Sequence, residues 1–281
     1  MNANVAAVQF APRLGQVEAN AERIVELVAH VARRGVSLAV FPECSLSGYQ
    51  LERDEAEAVA VDLPGPLTSR LGALADAHGI TLVLGLLERA PDGLYNTAVT
   101  FVPGHPFVRY RKTHLPRMGV DRFCRPGGGP YLPVVTPVGR IGVLICYDLR
   151  FPEPSRILAL AGAEVLAVPT SWPSTATDYP DFLLRARASE NRLAIVAADR
   201  CGNELDGQFL GRSQIVSFDG TVIAEAGTGD ETLIASMDAS AGLGARRIAG
   251  RPDGPAGLLA DRRIDLYDLS DRLSFERSPV R

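Results

Sequence analysis

Three residues with complementary chemistry each stand at the end of a short apolar stretch. Cys146 follows the run Ile141–Ile145, Glu43 comes just after Ser37–Phe41, and Lys112 ends Phe107–Lys112. A carboxylate within reach can take the proton of a thiol. An ammonium beside both favours the thiolate and stabilises negative charge that develops on a substrate. The three groups are sufficient for acyl transfer from an amide through a thioester, with no metal or organic cofactor required.

Each of these residues also has an ordinary structural interpretation. Cys146 would be a buried core thiol, because cysteine is among the most buried residue types. Glu43 would be a carboxylate of a surface loop, and Lys112 a solvated lysine of an edge strand. Strand ends that lie at one edge of a sheet converge, however, so residues far apart in sequence can meet in one pocket. That convergence favours a shared catalytic site.

Each candidate lies within a longer motif. The motifs are Phe41–Tyr49 (FPECSLSGY), Tyr110–Pro116 (YRKTHLP) and Arg140–Glu153 (RIGVLICYDLRFPE). In this order they resemble the signature of the nitrilase, or carbon–nitrogen hydrolase, superfamily, and more closely its amidase-like branch. The resemblance extends over most of the chain and is weak only beyond about Ala239. Further matching stretches are Val5–Pro12, Arg187–Asn191 and Gly211–Ile215.

The resemblance implies a role for each residue. Glu43 is then the general base, Cys146 the nucleophile, and Lys112 the cation beside the tetrahedral intermediate. The backbone N–H of Tyr147 would complete the oxyanion hole. The implied fold is an α/β protein, an α-β-β-α sandwich of two mixed sheets with outer helices, and family members are commonly homodimers or higher homo-oligomers.

The chain departs from the family pattern in three places. Many amidases carry a second glutamate in the loop after the lysine, whereas the only acid of this loop is Asp121. Asp199 stands where asparagine is more usual. True nitrilases typically have Cys-Trp-Glu at the nucleophile, and this chain has Cys146-Tyr147-Asp148. The last difference argues against nitrile hydrolysis as the main activity.

In addition to Asp121, two residues are candidates for substrate binding. Arg150 could hold a substrate carboxylate, a task that suits a guanidinium, or it could form a salt bridge to Glu153 or Asp148. Trp172, the single tryptophan, either lines the pocket or fills the core. His114 is expected to order its loop, because Glu43 already supplies a base.

The hydrophobic pattern predicts alternating strands and helices without a linker. One domain is therefore expected over residues 1–239, followed by a C-terminal extension, 240–281, that packs on the domain or on a partner subunit. The predicted helices are Val17–Arg34, Leu67–His78, Glu153–Ala161, Asp181–Asn191 and Leu266–Leu273. The predicted strands are Val5–Phe10, Ser37–Phe41, Ile80–Leu87, Leu94–Val102, Phe107–Lys112, Leu132–Pro137, Arg140–Ile145, Glu164–Val168, Leu193–Ala198, Gly211–Phe218, Thr221–Ala226 and Leu233–Met237.

Composition limits the partners, the location and the metal sites that are expected. The chain has 281 residues, of which 46% are hydrophobic and 22% charged, and a net charge of −4. This balance gives no reason to expect nucleic-acid or membrane partners. No secretory signal and no apolar run of membrane-spanning length is visible, so cytoplasmic residence is expected. The four histidines and four cysteines show no metal-ligand spacing, so no metal is expected.

The sequence therefore predicts a thiol amidohydrolase that acts with water on a small aliphatic amide or an N-carbamoyl compound, with carboxylate-bearing substrates among the candidates. The alternatives are a nitrilase and a catalytically silent binding member of the fold. If Lys112 lowers the thiol pKa, Cys146 should be alkylated selectively below the ordinary cysteine pKa of about 8.5.

Overall fold

The computed structural model describes residues 2–248 and 257–267. Its strands are β1 Asn2–Gln9, β2 Val36–Val40, β3 Val61–Asp62, β4 Thr81–Ala90, β5 Gly93–Phe101, β6 Val108–Arg111, β7 Val134–Thr136, β8 Gly139–Val143, β9 Val165–Thr170, β10 Ala194–Asp199, β11 Asn203–Glu204, β12 Gly207–Gln208, β13 Gln214–Val216, β14 Val222–Glu225 and β15 Glu231–Asp238. Its α-helices are α1 Val17–Ala32, α2 Arg53–Val59, α3 Pro66–His78, α4 Pro152–Leu160, α5 Leu184–Asn191 and α6 Ala241–Ile248. Short 3-10 turns occur at Gly119–Arg122, Cys146–Arg150 and Ile264–Leu266, and a π-helical turn at Tyr179–Leu183.

The strands form two mixed sheets. In the first sheet the order is β15-β1-β2-β4-β5-β6, with β3 paired to β4. In the second sheet the order is β14-β13-β10-β9-β8-β7. The central neighbours β1, β2 and β4 run parallel, as do β8, β9 and β10, whereas the outer strands pair antiparallel. The carboxyl ends of several parallel strands therefore lie together, which is where reactive residues can meet.

The sheets pack face to face, and alternate residues of β1 show how. Val5 and Ala7 belong to the core cluster that also contains second-sheet residues such as Leu166 and Val196. Ala6 and Val8 point the other way, into a cluster with helices α1 and α3. A strand that is apolar on both faces is the expected sequence of a layer covered on both sides. Helices α4 and α5 cover the second sheet, so the α-β-β-α sandwich is confirmed.

Most of the predicted elements are present, with boundaries shifted by a few residues. The hairpin around Asp219-Gly220 is confirmed by the antiparallel pairing of β13 with β14. The predicted helix Asp181–Asn191 begins earlier, because a π-helical turn from Tyr179 leads into α5. Helix α2 was not predicted, since only Ala56 of its seven residues is buried and the helix has no apolar stripe.

Helix α6 shows how the chain continues beyond β15. The Arg246 guanidinium donates to the carbonyls of Asn191, Arg192, Ala159 and Ala163, at 2.8–3.1 Å. These contacts fix α6 on the ends of α4 and α5. Of the predicted helix Leu266–Leu273, all but the first two residues lie outside the described part of the chain. Within the described ranges, no helix has the length and apolar character needed to cross a bilayer.

Candidate active site

Cys146 lies at a sharp bend between the second sheet and a helix. Strand β8 ends at Val143, and a 3-10 turn begins at Cys146 and leads directly into α4. The φ angle of Cys146 is +45°, a conformation that is uncommon for residues other than glycine. Strained positions of this kind concentrate at functional sites, and a strand-to-helix elbow is a recurrent way to present a nucleophile.

Glu43 sits on a loop that is pressed against both sheets. A Cβ on Gly85 of β4 would lie 2.5 Å from the Glu43 Cα, so only glycine lets the loop approach this closely. From the second sheet, the Ser171 hydroxyl donates to the Glu43 carbonyl at 3.2 Å, and the Ser171 backbone also bonds to the Cys146 thiol. Ser171 therefore contacts both the base and the nucleophile.

Lys112 forms the centre of a buried charged cluster. Its Nζ donates to Glu43 Oε1 and to Asp121 Oδ2, each at 2.6 Å. All three side chains are at most 3% exposed. An ammonium has three donors, so one N–H of Lys112 remains for a substrate oxygen. The arrangement combines a proton acceptor and a cation in one desolvated site.

Two further residues complete this cluster. The Asn96 amide on β5 donates to Glu43 Oε1 at 2.7 Å and to Asp121 Oδ1 at 2.8 Å. The Tyr49 hydroxyl donates to Asp121 Oδ2 at 2.8 Å. Sequence reasoning missed Asn96, although an amide inside a predicted buried strand is itself a signal. Glu43 Oε2 is buried and has no hydrogen-bond partner in the described part of the chain.

The electrostatics of the cluster are dominated by burial. Burial raises the pKa of Glu43, and repulsion from Asp121 raises it further, against the opposing effect of Lys112. Burial alone would lower the pKa of Lys112, but the Asp121 and Glu43 carboxylates raise it well above its usual value. Lys112 is thus held as a cation, and Glu43 is a stronger base than a solvated glutamate.

Lys112 lowers the pKa of the Cys146 thiol, as expected, but the net shift of that pKa is upward. Burial raises the pKa of Cys146 well above its usual value, and the nearby Glu43 carboxylate raises it further. The opposing effect of Lys112 is smaller than either. The resting thiol is therefore protonated. The thiol proton must be removed during the attack, which makes a partnered base a requirement of the site.

The substrate-binding candidates occupy different places. Asp121 lies within the charged cluster, as described above. Trp172 is buried, packs in the core and stacks on Tyr179 with ring centroids 4.9 Å apart. The Arg150 guanidinium lies over the Tyr179 ring, with its central carbon 5.3 Å from the ring centre. It is half exposed and forms its salt bridge with Asp178, not with Glu153 or Asp148.

Tyr147 occupies the first turn of the 3-10 segment that Cys146 begins. Backbone N–H groups at the start of a helical turn have no partner within the turn, which suits an oxyanion hole. Its side chain packs edge-on against Phe151, at 5.3 Å between ring centroids.

Comparison with known proteins gives the family. The family model described as carbon-nitrogen hydrolase matches residues 4–246. The chain belongs to the carbon–nitrogen hydrolase family. It is accordingly a hydrolase of carbon–nitrogen bonds other than peptide bonds, as the motifs predicted, and its nitrilase-superfamily fold is confirmed.

Individual relatives agree with this assignment. A protein of Pseudomonas protegens named "Hydrolase in pqqF 5'region" is 36% identical over 273 residues, which cover 95% of this chain and 92% of the relative. Deaminated glutathione amidase of Mus musculus is 37% identical over 238 residues, covering 78% and 73% of the two chains.

A solved structure points to the nucleophile of a related enzyme. The amidase from Nesterenkonia sp. AN1 is 28% identical, with a TM-score of 0.76 and coverage of 94% of this chain and 98% of that one. One of its mutants carries acrylamide joined by Michael addition to the active-site cysteine.

Proposed function

We propose that this chain is a thiol amidohydrolase that cleaves a small aliphatic amide or N-carbamoyl compound through a thioester on Cys146. The observation that carries the proposal is the buried contact of Lys112 with Glu43 and Asp121 beside the Cys146 elbow. A base with an unpartnered oxygen, a fixed cation and a protonated thiol are the groups that acyl transfer needs. The amidase names of the relatives support the same reaction class.

The first half of the reaction forms the thioester. Glu43 takes the proton of Cys146 as Sγ attacks the carbonyl carbon, and the negative charge moves to the carbonyl oxygen. The free N–H of Lys112 and the Tyr147 backbone N–H stabilise that oxygen. Glu43 then gives the proton to the nitrogen, the C–N bond breaks, and ammonia or an amine leaves.

The second half returns the enzyme to its starting state. Glu43 takes a proton from water, and the resulting hydroxide attacks the thioester carbon. The S–C bond breaks, the acid product leaves, and the proton returns to Cys146. Because the pKa of Glu43 is raised, the same side chain can serve as base and as acid.

Arg150 supports a carboxylate-bearing substrate. It lies four residues after the nucleophile, and its side chain is half exposed. Asp178 already pairs with it, so a substrate carboxylate would have to share the guanidinium with that residue. Trp172 would act indirectly, because it stacks on Tyr179 and so holds the ring over which Arg150 lies.

The experiment that tests the function is ammonia release from a panel of amides, amides of dicarboxylic acids, N-carbamoyl amino acids and nitriles. Cys146→Ala is measured beside the parent protein. Release by the parent and none by Cys146→Ala is the expected result, with the dicarboxylic amides fastest. Arg150→Met should then raise KM for carboxylate-bearing substrates by about 10- to 100-fold and leave simple amides unchanged.

Three outcomes would contradict the proposal. A nitrile that releases ammonia faster than its matching amide would make the chain a nitrilase. Normal release by Cys146→Ala would exclude the thioester. If the parent protein releases no ammonia from any compound of the panel, a binding member of the fold is favoured, because the panel covers the substrate classes that the site suits.

We also infer that the protein forms a homodimer or a higher homo-oligomer. Large apolar side chains are exposed on the elements that cover the second sheet, and they include Ile157 and Leu160 of α4 and Phe182. Exposed apolar groups grouped in this way are typical of association surfaces. The C-terminal extension would pack on the domain or the partner. Light scattering on the purified chain gives the subunit number, and a monomer at micromolar concentration would contradict the inference.

A further inference from the structure

Asp148 is a fully buried carboxylate that the proposed chemistry does not use. It lies two residues after Cys146, in the same 3-10 turn. A buried ionised acid costs free energy unless it is fully hydrogen-bonded. Asp148 is bonded in this way, and the identity of its partners indicates what it does.

One oxygen of Asp148 holds the nucleophile elbow. Its Oδ2 accepts the backbone N–H of Ile145, the residue before Cys146, at 3.1 Å. The same oxygen accepts the hydroxyl of Tyr110, on β6, at 2.8 Å. A single atom thus connects the strained bend of the second sheet to an edge strand of the first.

The other oxygen holds the segment that follows Lys112. Asp148 Oδ1 accepts the Thr113 hydroxyl at 2.8 Å and the His114 backbone N–H at 2.9 Å. The His114 ring also places its Nδ1 2.8 Å from this oxygen and stacks on Phe151. The partners of Asp148 therefore lie immediately before Cys146 and on both sides of Lys112.

This connection matters because Lys112 and Cys146 belong to different sheets. Lys112 follows β6, which pairs only with β5 and forms the edge of the first sheet. Cys146 follows β8 of the second sheet. Electrostatic stabilisation of a transition state needs donors held within a fraction of an ångström of the reacting atoms.

We propose that Asp148 is a positioning residue that sets the separation between the Lys112 ammonium and the Cys146 thiol. The inference rests on the proposed amidohydrolase function, and it concerns a residue outside the Glu43, Lys112 and Cys146 set. Asp148 touches neither substrate nor reacting atoms in this role. It acts through the two backbone segments that it joins.

Asp148→Asn is the informative variant. The amide of this variant keeps one oxygen, which still accepts from Thr113 and His114. Its NH₂ group takes the place of Oδ2 and faces the Ile145 N–H. Two donors then meet, and the hydrogen bond to Ile145 is lost. The elbow is then released while the Lys112 side remains held. We expect kcat to fall by about 100- to 1,000-fold and KM to change less than about threefold, since substrate contacts are intact.

Glu88→Gln is the matched control. Glu88 is also a buried acid with several donors, namely Thr97, Arg109 and Arg111, but none belongs to the elbow. The Lys112 backbone is held separately, by its N–H to the Asn96 carbonyl and its carbonyl to the Gly127 N–H, both at 2.8 Å. Glu88→Gln should therefore lower Tm as much as Asp148→Asn does and keep kcat within about threefold of the parent.

A second measurement does not depend on turnover. The rate of Cys146 alkylation by iodoacetamide, followed by mass spectrometry of the intact chain and its peptides, reports how well Glu43 and Lys112 activate the thiol. We expect Asp148→Asn to slow alkylation of Cys146 by about tenfold at pH 7.5, and Glu88→Gln to leave it unchanged. Tyr110→Phe, which removes one bond to Oδ2, should slow it by less.

The outcomes separate this inference from the proposed function. If the parent hydrolyses nothing but alkylation slows in Asp148→Asn alone, the function fails and the positioning role stands. If Asp148→Asn and Glu88→Gln lose Tm equally while kcat and alkylation match the parent in both, Asp148 is only structural and the inference is overturned. A raised KM with unchanged kcat would also overturn it.

Discussion

Two clusters of buried carboxylates lie beside strands β4 and β5 of the first sheet, and they are built in opposite ways. Glu88 on β4 accepts a hydroxyl from Thr97 at 2.7 Å and guanidinium groups from Arg109 at 3.0 Å and Arg111 at 2.9 Å. Both arginines are partly exposed. One buried negative charge thus meets two cations that keep contact with water, which is a saturated and stabilising arrangement.

The Lys112 cluster has the reverse balance. One buried ammonium serves two carboxylates, Glu43 and Asp121, and one oxygen of Glu43 has no partner in the described part of the chain. Such an arrangement stores unfavourable free energy, because the second negative charge is not neutralised. We therefore expect the two clusters to differ in role: the satisfied cluster stabilises the sheet, and the unsatisfied cluster contains the proposed base.

The largest expected effect comes from Glu43→Gln. It removes the base, so kcat should fall by more than about 1,000-fold in the ammonia assay. It also removes the excess negative charge, so Tm should stay equal to that of the parent or rise. An unfolded or strongly destabilised Glu43→Gln would mean that the Lys112 cluster is structural like the Glu88 cluster. Retained activity would remove Glu43 from the mechanism.

Asp121→Asn should have an intermediate effect and a defined pH dependence. The Asp121 charge raises the pKa of Glu43, so its removal lowers that pKa. The acid limb of kcat/KM, where Glu43 becomes protonated, should move to lower pH. The maximum should fall by about 10- to 100-fold, because Lys112 loses one of its two anchors. The measurement is kcat/KM from pH 4 to pH 9, and an acid limb that stays in place or moves upward contradicts the argument.

Glu88→Gln tests the other side of the comparison. It removes the buried negative charge and one of the two acceptor oxygens that Arg109 and Arg111 share, so the free energy of unfolding should fall by about 1–3 kcal/mol in urea titrations. Hydrolysis should remain within about threefold of the parent. A loss of activity without a loss of stability would show that the two clusters are coupled through Arg111 and the adjoining Lys112.

The motifs selected the candidate reactive groups because family resemblance and strand ends both pointed to them. Glu43, Lys112 and Asp121 meet in the structure, and Cys146 lies at the strand end where it was expected. The layered fold followed from strands such as β1 that are apolar on both faces. These features depend on local sequence, and they could be predicted.

Other features depend on contacts between distant segments and could not. Burial raises the pKa of Cys146, a direction that the residue types alone did not give. Arg150 pairs with Asp178, 28 residues away, although two nearer acids were available. Asp148 joins the elbow to Thr113 and His114, which lie more than 30 positions away, and Asn96 joins two loops. The hydrophobic periodicity of the sequence does not predict such pairings, because they arise only when the two sheets pack together.

The smallest expected effect concerns another buried acid, Asp199, at the end of β10. Its Oδ1 accepts the Trp172 backbone N–H at 2.9 Å, and its Oδ2 has no partner in the described part of the chain. Burial raises the pKa of Asp199 well above its usual value, so the folded protein holds this proton to a higher pH than the unfolded chain does. An asparagine, which is the more usual residue here, offers the same acceptor without a charge.

The consequence is a stability that falls with pH. Below about pH 3.9, the unfolded pKa of aspartate, both states hold the proton, whereas above it only the folded state does. The free energy of unfolding therefore decreases as pH rises from 3.9 to the folded pKa. Asp199→Asn removes this decrease, so its Tm should match the parent near pH 4 and exceed it increasingly as the pH rises toward the folded pKa of Asp199. Hydrolysis should stay within about threefold. A Tm difference that is independent of pH would mean that Arg200 keeps Asp199 ionised, and that this acid belongs with the satisfied cluster of Glu88.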